Sequence, residues 1–129
     1  GFEQVNLLYG ENPNKSVRAW TKPFHEAGIQ THMLDRALNA LRMSPCPKDL
    51  RQLFYKVKKA QGTDITRIFC GLNDERNVIP SIKYAKEAGM TTVRIYYKNN
   101  SAKDKKYIDY AYKGIESFLD DIIVEQKVV

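Results

Sequence analysis

Residues 73–77 gather the polar side chains best placed to do chemistry, Asn73, Asp74, Arg76 and Asn77. They follow a strand-forming run at 65–70 and precede Val78, Ile82 and Ala85, apolar residues at helical spacing. A loop so placed lies at a strand's carboxyl end, where open α/β sheets and α/β barrels hold their ligands. Arg76 and Asn77 beside a helix N-terminus could hold an anion. The same cluster also suits helix capping and loop closure, since Asn and Asp side chains accept from nearby backbone N–H groups. Both roles stay open.

Other reactive side chains are isolated. Cys70 ends the strand run without a histidine beside it in the sequence, so a structural thiol is the expectation. Cys46 and Cys70 lack metal-ligand spacing, and both are expected to stay reduced in a cytoplasmic setting. His25 and His32 stand alone, and Ser44 and Ser81 have no recognisable base partner. No glycine-rich phosphate loop of either common spacing occurs. No catalytic residue, metal ligand or cofactor is therefore assigned.

The elements that must position these residues recur regularly. Apolar runs at 4–9, 29–34, 65–70, 92–97 and 121–125 are short and poorly alternating, as in parallel strands buried on both faces. Helical patterns separate them. Asn12 or Asn14 caps the first, which reaches about Ala27, with Pro23 awkward inside it. Pro47-Lys48-Asp49 opens the second, with Leu50, Leu53, Phe54 and Val57 as its apolar stripe. Asp74 or Asn77 starts the third, with Pro80 in its first turn. Residues 103–119 form the fourth, bearing Tyr107, Tyr110 and Tyr112. The expected fold is α/β: about five parallel strands alternating with four helices in a single domain, residues 1–129, either a partial (βα) barrel or an open flavodoxin-like sheet.

With 129 residues, 43% hydrophobic and 28% charged, the chain is long enough for one real core and unlike a disordered segment. No apolar run approaches the roughly 20 residues of a membrane span. The net charge of +6 is spread mostly over polar helix sides and loops. The basic stretch at 101–106 is too small for a nucleic-acid footprint, so neither membrane nor nucleic acid is an expected partner.

Residues 65–77, Ile-Thr-Arg-Ile-Phe-Cys-Gly-Leu-Asn-Asp-Glu-Arg-Asn, resemble a family signature, Val-Phe-Arg-Ile-Phe-Asp-Ala-Leu-Asn-Asp-x-Arg-Asn. It belongs to the carboxyltransferase barrel of biotin-dependent enzymes: oxaloacetate decarboxylase α subunits, the transcarboxylase barrel subunit and pyruvate carboxylase. Upstream, Met33-Leu34-Asp35-Arg36-Ala37-Leu38-Asn39 is similar to the family's Met-Leu-Leu-Arg-Gly-x-Asn, and Glu11-Asn12-Pro13 to its Glu-Asn/Asp-Pro. The resemblance runs in order along most of the chain. It implies that Arg36 binds the carboxylate of a keto acid, a task suited to guanidinium, and that Asn39 accompanies it. A salt bridge from Arg36 to Asp35 or a loop acid is the alternative.

The departures point to a shortened, degenerate relative. The family barrel has eight strands; its Arg-Asp-x-x-Gln-Ser and His-x-His metal motifs have no counterpart here. Cys70 stands for the aspartate that ends the signature strand, and Gln126 stands where the carbamylated lysine is expected, with Lys127 one residue out of register. Three readings follow. The first is a module without catalysis of its own, binding a small keto acid or a partner chain, either a second copy or a complementary barrel chain. The second is a subunit of a biotin-dependent carboxyltransferase or decarboxylase completed in trans. The third is a stand-alone flavodoxin-like binding domain.

Overall fold

The computed structural model describes residues 4–95, 108–112 and 114–125. One sheet holds four parallel strands, β1 His32–Arg36, β2 Ile65–Phe69, β3 Thr91–Ile95 and β4 Tyr110–Tyr112. The helices are α1 Pro13–Glu26, α2 Lys48–Ala60, α3 Glu75–Glu87 and α4 Ile115–Glu125. The α/β class is as expected, with four strands rather than five among the described residues. The strands lie in sequential order, β1-β2-β3-β4, which is the winding of a (βα) barrel. The sheet is open; a flavodoxin-like sheet reverses its order at a switch point, and the described strands show no such reversal.

Local chemistry explains most boundaries. Asn12 is the cap of α1: its side-chain oxygen accepts the Asn14 N–H at 2.9 Å. The helix runs on through Pro23 and stops when Gly28, at φ +73°, turns the chain so that Ile29 N–H reaches Phe24 O at 2.8 Å. Asp74 caps α3 through the Arg76 N–H at 2.9 Å. Pro80 falls one turn later than expected, in the second turn of α3. In α2 the buried residues are Phe54, Tyr55 and Lys58, whereas Leu53 is 55% exposed and leaves the expected stripe.

The core lies where α2 and α3 cover one face of the sheet. Ile68 of β2 packs among Phe54, Tyr55, Val78, Ile82 and Ala85, and burying side chains of this size contributes about 1.5–3 kcal/mol each. At the other end of the strands, Gly62 brings α1 against the α2–β2 turn. A Cβ at Gly62 would lie 2.4 Å from Thr21 Oγ1, and φ is +101° there, so only glycine fits.

Four expectations are corrected. The run at 4–9 is not a strand but a π-helical segment, Gln4–Leu8, closed locally by Glu11 N–H to Val5 O at 3.1 Å. Beyond β1 no described strand offers it a ladder, and a short apolar run without one closes on itself. The strand expected at 29–34 begins three residues later, because Gly28 and Ile29 are spent closing α1. Residues 110–112 are strand, not helix: the Tyr110-Ala111-Tyr112 triplet pairs with Val93 to Ile95, where aromatic residues suit the ladder. The run at 121–125 is the end of α4, not a fifth strand; Ile115, Phe118 and Leu119 set its helical spacing. Tyr107, Gln126 and Lys127 lie outside the described residues.

Candidate functional site

Burial alternates along β1 and β2 and separates two faces. Asp35, Thr66 and Ile68 are buried toward the helices; Leu34, Arg36, Arg67 and Phe69 belong to the other face. The register sets Arg36 beside Phe69, and Leu34 beside Arg67 and then Val93. Parallel pairing thus builds two rows, with an arginine and an aromatic ring at the carboxyl ends of the strands.

Arg36 is exposed at the end of β1, its guanidinium 5.6 Å from the centre of the Phe69 ring. Its sequence neighbour Asp35 is not its partner. Asp35 points to the helix-covered face and accepts a hydrogen bond from Tyr55 Oη. Among the described residues, no carboxylate pairs with Arg36.

The other expected site residues are distributed around the strand ends. Asn39 donates to Met43 O at 2.7 Å and accepts from Cys46 Sγ at 3.0 Å, which closes the loop after β1. Asn73, at φ +57°, accepts from Arg94 Nη2 at 3.4 Å. Asp74 and Arg76 form a bidentate pair, with Nη2 to Oδ2 at 2.6 Å, and Arg76 is 89% exposed. Hydrogen bonds from Arg76 hold the Asp74 carboxyl below its ordinary value. Asn77 Nδ2 donates to Cys70 Sγ at 3.3 Å. Arg36 and Asn39 thus share the β1 loop, while 73–77 form the α3 cap and its approach.

Cys70 sits half-buried at the end of β2. Burial pushes its thiol up, but hydrogen bonds from the Asn77 side chain and from the backbone of Asp74 and Leu72 outweigh this and hold it below its ordinary value. Both cysteines are free thiols.

Two features escaped the sequence reading. A cavity of about 620 Å³ opens beside Cys70 and Asn73, walled by Leu34, Phe69, Ile95 and Ile115. Arg67 and Arg94 line it as well, and Arg94 is only 1% exposed. Period-two alternation along 65–69 already set Arg67 on the face of Phe69; Arg94 gave no such sign. The second feature is a polar network under the helices. Tyr55 donates to Asp35, Ser81 Oγ donates to Ala37 O at 2.6 Å, and Arg51 lies 3.5 Å from Ser81 Oγ. Burial pushes Asp35 up to about 6, against the Tyr55 hydrogen bond and the Arg51 charge.

The family's metal does not fit the described residues. No group of three His, Cys, Asp or Glu there could hold one, and Cys70 stands where the signature has aspartate. No described helix is long and apolar enough to cross a membrane.

Comparison with known proteins places this geometry. A pyruvate carboxylase subunit from Methanocaldococcus jannaschii is 37% identical over 88 residues, which are 68% of this chain and 15% of that protein. The carboxyl transferase domain of Rhizobium etli pyruvate carboxylase, solved with pyruvate, superimposes with a TM-score of 0.68 at 17% identity, over 98% of this chain and 20% of that one. The complete multifunctional Rhizobium etli enzyme gives 0.67 at 21% identity, over 83% and 11%. No protein-family profile matches the chain. The matched part spans a fifth or less of each relative. The chain therefore belongs with the carboxyltransferase barrels of biotin-dependent enzymes, as a relative of the pyruvate carboxylase carboxyltransferase domain over the part that it covers.

Proposed function

We propose that this chain supplies the keto-acid-binding part of a carboxyltransferase-type barrel, anchors a small keto acid through Arg36, and performs no carboxyl transfer by itself. The observation that carries this reading is the setting of Arg36. It stands at the carboxyl end of β1, backed by Phe69, with its neighbour Asp35 turned away to Tyr55. A guanidinium so placed can grip a carboxylate through two parallel N–H donors. Asn39 holds the loop behind it, and Asn73, Asp74, Arg76 and Asn77 shape the opposite rim.

A partner completes the barrel. Among the described residues β1 and β4 each have one edge without a strand, and open edges call for cover. A complementary barrel chain or a second copy would supply it, and a metal-dependent step would take its ligands from there. Metal uptake only in such a complex favours the reading of an enzyme subunit completed in trans. Light scattering separates a dimer from a monomer that needs a different chain.

The test is an NMR titration of the ¹⁵N-labelled chain with pyruvate and oxalate, repeated on Arg36→Ala. Shifts near Arg36 and the Asn73 loop, lost in the variant, are expected. A flat titration at millimolar ligand would leave only the partner-binding role.

A further inference from the structure

The cavity beside Cys70 has a chemistry of its own: it shares Phe69 and Asn73 with the surroundings of Arg36, but Arg36 does not line it. Its walls are apolar, Leu34, Phe69, Ile95 and Ile115, and its polar lining is Arg67, Arg94, Asn73 and Cys70. Among the described residues, no carboxylate lines it. The geometry points to a second anion site here, one that takes a carboxylate carried on an apolar body, such as an aryl-alkyl acid.

Three observations support this class of ligand. The volume of about 620 Å³ is that of a pocket for a molecule much larger than a three-carbon acid. Arg67 is half-buried on the row between Leu34 and Val93, and among the described residues it has no hydrogen-bond acceptor or ion-pair partner. A guanidinium drawn partly out of water gains most from an anion brought by a ligand. Last, charge has shifted relative to the family signature. Cys70 takes the place of its strand-end aspartate, so the strand end brings a thiol and not an acid to the cavity that Arg67 lines. An inorganic anion would use the arginines and leave the apolar walls wet, so the walls select an organic acid.

Cys70 is a built-in reporter, since it lines the cavity while Cys46 is buried. A bound anion both covers the thiol and opposes its ionisation, so alkylation slows. The experiment measures Cys70 alkylation by iodoacetamide, read site by site with peptide mass spectrometry, as 3-phenylpropionate is added to the full chain. The expected result is a several-fold slowing that saturates, with 3-phenylpropanamide and inorganic phosphate each about tenfold weaker. Arg67→Gln should abolish the protection. Arg36→Ala should keep it while losing pyruvate binding, which separates this site from the keto-acid site. Equal protection by the amide would reveal a merely apolar pocket, and equal protection by phosphate a simple anion patch; either result overturns the proposal. So does a lack of protection at millimolar acid. The comparison of acid with amide uses the unmodified chain, so it decides the matter even if Arg67→Gln fails to fold.

Discussion

The two faces of the sheet are built to different standards of completion. On the face under α2 and α3, Ile68 is 1% exposed and Tyr55, Val78 and Ala85 are fully buried, with Asp35, Ser81 and Arg51 drawn into hydrogen bonds and charge contacts. On the other face Leu34 is 57% exposed, Arg36 reaches into solvent and Arg67 borders an open cavity. Both faces come from the same five-residue strands, with neighbouring residues pointing opposite ways. The helices of this chain finish one side. Among the described residues the other side of β1 and β2 is left more open, with Leu34 and Arg36 exposed.

The sharpest way to break this contrast is a matched pair of truncations. Ile68→Ala leaves a cavity in the closed core and is expected to cost about 2–5 kcal/mol in urea unfolding. Leu34→Ala, one strand away on the open face, is expected to stay within about 0.5 kcal/mol in the isolated chain. If Leu34→Ala costs as much as Ile68→Ala, the open face is already covered in solution, and light scattering should then show a dimer.

Asp35 tests the closed face by pH. Its carboxyl is raised from 3.8 to about 6, chiefly by burial. A group with a raised folded value favours the fold while it is protonated. Its contribution is thus complete below about pH 4 and is lost as the pH climbs through 6, a difference of roughly 3 kcal/mol. Asp64 and Asp109 act in the opposite sense. Burial raises them, but hydrogen bonds and lysine partners lower them further, so their contribution is lost only as pH falls below the ordinary carboxylate range. The two windows do not overlap. Stability followed by urea midpoints should fall between about pH 4 and 6, and Asp35→Asn should flatten that fall. An unchanged slope in the variant would show that Asp35 is not the group responsible.

Much of the closed face was legible from residue spacing, because burial there is enforced by helices encoded in the same stretch. Val78, Ile82 and Ala85 read as an inward stripe and are one; of the paired cap candidates, Asn12 or Asn14 and Asp74 or Asn77, Asn12 and Asp74 are the caps. The polar network was not legible. Asp35 sits inside a motif that drew attention to Arg36, and only the pairing of β1 against α2 brings Tyr55 to it. The misread strands share a cause. The runs at 4–9 and 121–125 are apolar enough for strands, but strand or helix is decided by whether a neighbour offers a ladder, and that is a tertiary fact. The Arg67–Arg94 cavity depends on register between chain segments, which a single run of residues does not reveal.

The rim at 73–77 supplies the smallest effect and the finest discrimination. Asp74 does two things at once: it caps α3 through the Arg76 backbone and pairs with the Arg76 side chain. The cap satisfies a donor that has no partner inside the helix, whereas the ion pair is made between side chains in water and is screened by salt. Arg76→Ala removes only the pair, so its thermal midpoint should match the parent at 150 mM salt. Asp74→Ala removes the cap as well and should lower the midpoint measurably. Neither change touches Arg36, so a rim that only shapes the entrance leaves the pyruvate titration unchanged in both variants. If Arg76→Ala instead weakens pyruvate binding with its midpoint intact, Arg76 takes part in gripping the acid, and the binding site extends from the end of β1 across to the start of α3.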